Sequence, residues 1–219
     1  MAIEAASWRR RRLRIRCTAF AALAVTTCVG CSARRGAVGG VDIDPGTASR
    51  TLISQNDKNS DGALAADELD AVAAIRGRMG KFDQDGDGKI SQDELQENLA
   101  RVFDSRTGLL SATCQVTRNG QPLSGAYVYF VPIPLIEELI PEASGMTDAG
   151  GVAKLSIRKE DLPQNAPSVS GLIRPGLYFV EVKHPTVNVP EKYNSKTTLG
   201  QEISPETCAG GPIHLALKF

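Results

Sequence analysis

Two kinds of hydrophobic pattern divide this chain. From residue 45 to about residue 102, apolar residues recur at helical spacing around two acidic stretches, and Asp44-Pro45 supplies a helix N-cap and a proline at the first helical position. After about residue 103, short runs rich in Val, Tyr, Phe and Ile alternate with Gly, Pro, Asn and Asp, which is typical of strands and turns. We therefore predict an α+β protein in separate domains, in which a helical segment (residues 45–104) precedes an antiparallel β-sandwich (residues 109–219, the β segment).

The strands of the β segment are marked by the turns between them. Asn119-Gly120 is a strong hairpin signal because both residues tolerate positive φ. The predicted strands are residues 112–118, 126–132, 152–157, 177–183 and 213–219.

Two stretches of twelve residues, 57–68 (the first loop) and 83–94 (the second loop), match the pattern D-x-[DN]-x-[DN]-G-x5-E at every constrained position. Calcium takes about six to eight oxygen ligands, and this spacing directs oxygens inward from positions one, three, five, seven and twelve. Glycine at position six permits the sharp turn that the backbone makes between positions five and seven. The residues predicted to bind two calcium ions are Asp57, Asn59, Asp61, Ala63, Glu68, Asp83, Asp85, Asp87, Lys89 and Glu94. Ala63 and Lys89 would each contribute a backbone carbonyl oxygen.

The two loops resemble those of EF-hand pairs, and the resemblance covers roughly residues 47–102. It implies that the eighth residues, Leu64 and Ile90, face each other in a short strand pairing. The second loop has four carboxylates in ligand positions and the first has three, so we expect the second loop to bind calcium more tightly. Only 14 residues separate the loops, which leaves room for one shared helix or for two short helices broken at Gly77 and Gly80.

The β segment resembles the carboxypeptidase-regulatory-like, transthyretin-like sandwich of many small bacterial envelope lipoproteins. The stretches that carry this resemblance are residues 119–126 (NGQPLSGA), 147–151 (TDAGG), 174–182 (RPGLYFVEV) and 189–193 (VPEKY). The resemblance implies a fold and says little about activity. The insert at residues 133–144 departs from it, and we expect its five Leu and Ile residues to cover an end of the sandwich, an exposed partner-binding patch being the alternative.

The N-terminus has the features of an export signal. Residues 1–35 carry eight Arg and one acidic residue, and residues 17–30 form an uncharged stretch too short for a bilayer, which needs about 20 residues. Val29-Gly30-Cys31 resembles the lipobox of bacterial lipoproteins. We therefore predict a signal peptide at residues 1–30, lipidation at Cys31 and a flexible tether at residues 31–44. An ordinary signal peptide and an uncleaved anchor are the alternatives.

Only two cysteines, Cys114 and Cys208, lie outside the N-terminal region, near the two ends of the β segment. In an exported protein they could form a disulfide, and two buried reduced thiols are the other possibility.

We do not expect the protein to be an enzyme, because its sequence lacks the usual catalytic motifs. The two histidines, His184 and His214, lie in or beside predicted strands, without a nucleophile elbow or a metalloprotease motif. Basic residues form no cluster beyond the N-terminus, which argues against nucleic-acid binding.

These features predict a calcium-binding protein, exported and lipid-anchored in the cell envelope, with a structural or interaction role and no enzymatic activity. Its partners would be calcium, the membrane, and an envelope protein or glycan. The alternatives are a dockerin-like module that docks a partner when calcium is bound, and a calcium-dependent enzyme with an unrecognised site. We expect calcium to hold the helical segment folded while the β segment folds without it, leaving a protease-resistant fragment that begins near Gly108.

Overall fold

The computed structural model describes residues 38–103 and 108–219. The predicted signal peptide, Cys31, the first half of the tether and most of the boundary between the two segments lie outside these residues. Within them, no helix combines the length and apolar character that crossing a bilayer requires.

The helical segment begins where the sequence predicts. Its helices are Pro45–Asn56 (α1), Ala73–Arg76 (α2), Met79–Phe82 (α3) and Gln92–Phe103 (α4). The carboxylate of Asp44 accepts a hydrogen bond from the backbone N–H of Thr47 at 2.9 Å, and Pro45 occupies the first helical position. Leu52 and Ile53 are buried where α1 packs against α4. The N-cap therefore fixes the start of α1, and burial of its apolar face holds it in place.

The connector between the loops is broken into short helices. A 3-10 turn at Leu69–Val72 runs into α2, whose C-cap residue is Gly77, and α3 then leads directly to Asp83. The structure therefore agrees with the second of the two predicted arrangements. The break falls at Gly77 and Arg78, whereas Gly80 lies inside α3.

The strands of the described chain form two small ribbons and two larger sheets. They are Ala63–Ala65 (β1), Lys89–Ser91 (β2), Leu110–Ser111 (β3), Thr113–Arg118 (β4), Gln121–Pro122 (β5), Tyr127–Pro132 (β6), Ala143–Met146 (β7), Val152–Lys154 (β8), Ser156–Ile157 (β9), Leu172–Ile173 (β10), Gly176–Lys183 (β11), Gly200–Ile203 (β12) and Ile213–Leu217 (β13). β1 pairs with β2, and β10 with β3. The five-stranded sheet has the order β12-β11-β6-β7-β9, and the four-stranded sheet has β13-β4-β5 with β8 on β4. A short helix, Pro205–Ala209 (α5), follows β12.

Pairing between the described strands is antiparallel except between β4 and β13, which run parallel. The combination of helices with antiparallel sheets confirms the coarse prediction of an α+β chain.

The Asn119-Gly120 turn forms, with φ of 50° and 82°. The strand that returns from it is only Gln121–Pro122, and β6 lies in the other sheet. The predicted strand at residues 152–157 is also divided, because β8 pairs with β4 in one sheet and β9 pairs with β7 in the other. Both predictions placed strands correctly and missed the crossing from one sheet to the other.

The core of the sandwich includes an edge-to-face pair formed by Phe130 and Tyr178, whose ring centroids are 5.9 Å apart. The insert contributes to this core, since Ile133, Ile136 and Ile140 are buried, while Leu139 is exposed. The insert therefore covers the sandwich with most of its apolar side chains, as the sequence favoured.

The helical segment packs on the sandwich at one edge of the five-stranded sheet. α2 contacts β12 and β11, and a Cβ atom added to Gly200 would meet the backbone nitrogen of Ala74 at 2.0 Å. The backbones of Gly200 and Ala74 therefore approach more closely than a side chain at residue 200 would allow. The two segments predicted as separate domains share this surface within one compact unit.

Candidate metal centre

The two acidic loops meet through a short antiparallel ribbon. β1 belongs to the first loop and β2 to the second, and Leu64 is paired with Ile90. Both side chains are completely buried. Each loop follows directly from a helix that ends at its first residue, since Asp57 is the C-cap of α1 and Asp83 is the C-cap of α3. The ribbon thus holds the eighth positions together and sets the two loops side by side.

The carboxylate at the first position closes each loop. Asp57 accepts hydrogen bonds from the backbone N–H groups of Asp61 at 3.2 Å and of Gly62 at 2.9 Å. In the second loop, Asp83 accepts the equivalent bonds from Asp87 at 3.1 Å and from Gly88 at 3.0 Å. One side chain therefore gathers the backbone of the tight turn in each loop.

The third and fifth positions repeat the same arrangement in the first loop. The side-chain oxygen of Asn59 accepts from the N–H of Asp61 at 2.9 Å, and Oδ1 of Asp61 accepts from the N–H of Ala63 at 3.0 Å. These bonds fix the side chains of both predicted ligands.

In the second loop, Asp85 accepts from the N–H of Asp87 at 3.1 Å, and Asp87 accepts from the N–H of Lys89 at 2.7 Å. The bonds correspond position for position with those of the first loop. Asn59 and Asp85 therefore occupy equivalent places, although one is neutral and the other carries a charge.

The glutamate at the twelfth position reaches back across each loop. Oε1 of Glu68 accepts from the N–H groups of Lys58 at 2.7 Å and Asn59 at 3.2 Å, and Oε2 accepts from that of Ala65 at 3.0 Å. The N–H of Ala65, followed by those of Lys58 and Asn59, keeps the pKa of Glu68 below its usual value.

Glu94 makes the equivalent contacts in the second loop. Its oxygens accept from the N–H groups of Gln84 at 2.7 Å, Asp85 at 3.3 Å and Ser91 at 2.9 Å, and also from the Ser91 hydroxyl at 2.8 Å. Burial raises the pKa of Glu94, but these bonds outweigh it and the pKa lies below its usual value. Both glutamates are therefore held in the ionised form that a cation requires.

Backbone conformation matches between the loops as well. The fourth and sixth residues have positive φ in each, with Ser60 at 60°, Gly62 at 84°, Gly86 at 76° and Gly88 at 86°. Positive φ is costly for residues other than glycine, so Ser60 is held in place by the surrounding loop. The first loop thus adopts the same turn without glycine at its fourth position.

Three carboxylates converge in the second loop. Asp83, Asp85 and Asp87 each place one oxygen within 4.8 Å of the others, and this is the one such group among residues 38–103 and 108–219. The first loop cannot form the same triad because Asn59 stands at its third position. The donors are all oxygens, the ligand type that hard divalent cations such as calcium prefer. The residues present therefore fit calcium, and the second loop offers it the greater charge.

The predicted cysteine pair is not bonded in the structure. Cys114 and Cys208 are both free thiols. Cys114 is buried within β4, where its neighbours across the sheet are Ala153 and Ile213, and burial raises its pKa to about 12. Cys208 is partly buried in α5. Both thiols are therefore unpaired in the structure, and of the two only Cys114 is fully buried.

The two histidines occupy different places in the β segment. The Nδ1 atom of His184 accepts hydrogen bonds from the N–H groups of Thr186 and Val187, so its Nε2–H donates to the carbonyl of Ser124 at 2.9 Å. His184 thus closes a turn after β11, while His214 is exposed on β13.

Two ion pairs near the loops were not foreseen from the sequence. Lys89 contacts Asp61 across the ribbon, and Arg101 contacts Glu202 of β12. A charge at the seventh loop position was visible in the sequence, but its partner is 28 residues away. Nothing in the sequence around Glu202 marked it as buried.

Comparison with known protein families gives one match. The EF hand family matches residues 76–100, a range that contains the whole second loop together with α3 and most of α4. No curated protein and no solved structure matches the chain. The match supports an EF hand at the second loop. The match does not include the first loop, whose backbone hydrogen bonds nevertheless correspond position for position with those of the second loop.

Proposed function

We propose that this protein binds two calcium ions, one in each loop, and that it serves as a structural or interaction protein rather than as an enzyme. The observation that carries the proposal is the equivalence of the two loops. Seven hydrogen bonds recur between corresponding positions, and corresponding lengths differ by at most 0.3 Å. The EF hand match and the Asp83–Asp85–Asp87 triad support the same proposal.

Calcium bound in the second loop would be held by the three aspartates, Glu94 and the carbonyl oxygen of Lys89. In the first loop it would be held by Asp57, Asn59, Asp61, Glu68 and the carbonyl oxygen of Ala63. The ion would neutralise carboxylates that otherwise repel one another at short range. Each loop brings its first and twelfth residues together, so a bound ion would cross-link the helices on either side of it.

Isothermal titration of the full chain tests this proposal. We expect two sites, with Glu94→Gln removing the tighter one and Glu68→Gln the weaker one. Glu138→Gln is the control, because it removes the same charge from an exposed position in the insert. Binding by Glu94→Gln that equals that of the wild type would show that the second loop is not a calcium site.

We also propose that the chain is exported and anchored in the cell envelope by lipid on Cys31. The support is the basic N-terminus, the short apolar stretch and the Val29-Gly30-Cys31 sequence. Intact mass spectrometry of protein extracted from membranes should show cleavage before Cys31 and an added acyl mass. A soluble product cleaved elsewhere would refute the anchor.

The expectation that the protein is not an enzyme comes from the sequence, in which neither histidine belongs to a recognised catalytic motif. Both ring nitrogens of His184 are engaged with backbone groups, and His214 is on another strand. Incubation with panels of glycans and peptides should therefore give no turnover, with or without calcium.

A further inference from the structure

Glu202 is a buried carboxylate whose cationic partners both come from the helical segment. It lies in β12 at the edge of the five-stranded sheet, and its side chain is 0% exposed. Arg101 of α4 approaches its two oxygens at 2.9 and 3.2 Å, and Nε of Arg78 lies 3.8 Å away. A buried charge requires such partners, since desolvation without them is strongly unfavourable. The sandwich therefore relies on the helical segment to neutralise this residue.

A chain of hydrogen bonds connects Glu202 to the second loop. Arg101 donates to the side-chain oxygen of Asn98 at 3.1 Å, and the amide group of Asn98 donates to the carbonyl of Glu94 at 2.9 Å. The same amide group also reaches the carbonyl of Phe82 at 3.4 Å. Asn98 is buried, so these bonds lie away from solvent. It thereby joins the last residue of α3 to the last residue of the loop.

Along the chain, Arg78 precedes the second loop and Arg101 follows it. Arg78 caps α3, which enters the loop, and Arg101 lies in α4, which leaves it. Their relative position depends on how the loop holds these two helices together. Lys81 of α3 adds a third contact, an ion pair with Glu206 in α5. Charges from both flanking helices thus converge on the region between β12 and α5.

We propose that calcium in the second loop and docking of β12 on the helical segment are energetically coupled through Glu202. The proposal rests on the proposed function and concerns how that site is regulated. Without a cation, the converging aspartates repel one another and the two flanking helices lose their fixed relation. Arg78 and Arg101 then no longer meet Glu202 together, and a charge is left in the interface without its partners. Coupling of this kind is reciprocal, so Glu202 also raises the calcium affinity of the loop.

Glu202 also bears on the protease-resistant fragment that is expected to begin near Gly108. A fragment beginning near Gly108 would contain Glu202 without Arg78 or Arg101. It would also expose Gly200, whose backbone packs against Ala73 and Ala74. Chelation should therefore loosen the edge of the sandwich as well as the helical segment.

Calcium titration of the full chain with Glu202→Gln tests the coupling. We expect about a tenfold weaker second site, within the range of ordinary coupling between sites, and a smaller change at the first. Glu181→Gln is the control, because Glu181 lies on the neighbouring strand and its side chain, 25% exposed, pairs at 2.7 Å with Lys183 of its own strand instead of with an arginine of the helical segment. Wild-type affinity in Glu202→Gln would overturn the coupling and leave the proposed function intact. A wild-type chain that binds no calcium would overturn the proposed function and the coupling with it.

Hydrogen exchange of the wild-type chain provides a second measurement should Glu202→Gln fail to fold. The amides of β12 should lose protection when calcium is chelated, while those of β4 and β13 in the other sheet should change little. Equal protection of β12 with and without calcium would overturn the proposal.

Gly200→Ala should weaken calcium binding, as Glu202→Gln does. Gly80→Ala is its control, because a Cβ atom at that helical position meets nothing within 4 Å.

Discussion

The ammonium group of Lys89 lies 2.6 Å from Oδ2 of Asp61. The backbone carbonyl of Lys89 is a predicted ligand in the second loop, while its side chain contacts a predicted side-chain ligand of the first loop. The hydrogen bond from Lys89 lowers the pKa of Asp61, and the same contact raises the pKa of Lys89. Oδ1 of Asp61 accepts a hydrogen bond from the N–H of Ala63. Because Lys89 brings a positive charge onto a predicted ligand, it would weaken the attraction of the first loop for a cation.

Removal of the positive charge of Lys89 should strengthen the first site. We expect Lys89→Met to raise first-loop affinity by up to about fivefold, because an exposed ion pair contributes little. Isothermal titration would measure the change. Lys58→Met is the control, since Lys58 contacts the carbonyl of Asp67 instead of a ligand carboxylate. An equal gain in both variants would mean that only the net charge of the loops matters.

A fourth carboxylate should bring the first loop closer to the second. Asn59→Asp places a charge where Asp85 stands in the second loop, with little change of shape. We expect tighter calcium binding at the first site because affinity in these loops rises with the number of charged ligands. Gln55→Glu adds the same charge at an exposed position just before the loop and should have a smaller effect. If both variants gain equally, ligand charge is not what ranks the two sites.

Stability should depend on pH through Glu202. Burial raises the pKa of this group, but hydrogen bonds with Arg101 and Ser204 and the charges of Arg101 and Arg78 outweigh it, so its pKa lies below the usual 4.5. A depressed pKa contributes stability that is complete above 4.5 and is lost as pH falls through the folded-state pKa. Thermal unfolding of wild type and Glu202→Gln should therefore differ at neutral pH and converge below pH 4.5. A difference that does not change with pH would contradict this assignment.

Tyr178 should stabilise the sandwich through its hydroxyl as well as its ring. Its Oη donates to the carbonyl of Arg174 at 2.7 Å, and its ring packs against Phe130. We expect Tyr178→Phe to cost about 1 kcal/mol, and Phe130→Ala about 3–5 kcal/mol, in the free energy of unfolding. Tyr127→Phe is the control because Tyr127 is 45% exposed. Chemical denaturation would measure all three variants, and equal losses from Tyr178→Phe and Tyr127→Phe would exclude a role for the hydroxyl.

The loops could be predicted from sequence because their structure is local. Each requires twelve consecutive residues, and the hydrogen bonds that shape it join residues at most ten positions apart. The N-cap at Asp44 and the turn at Asn119-Gly120 were predictable for the same reason. In each case the residue type itself restricts the backbone.

The remaining features depend on contacts between distant parts of the chain. Arg101 and Glu202 are 101 residues apart, and no local pattern indicates that they meet. The crossing of the chain between sheets at Leu155 follows from the pairing of β8 with β4 and of β9 with β7, which a continuous apolar run does not reveal. β7, which overlaps the end of the insert, was not predicted because Ala143–Met146 is poor in typical strand formers.

The close packing around Gly200 restricts which residues can replace it during evolution. The three atoms nearest to a Cβ at this position belong to Ala73 and Ala74, so the restriction on residue 200 is imposed by the helical segment. Selection for glycine here is therefore selection for keeping the two segments together. Among descendants of a common ancestor, this glycine should be inherited together with the acidic loops and should drift to other residues in lineages that have lost them.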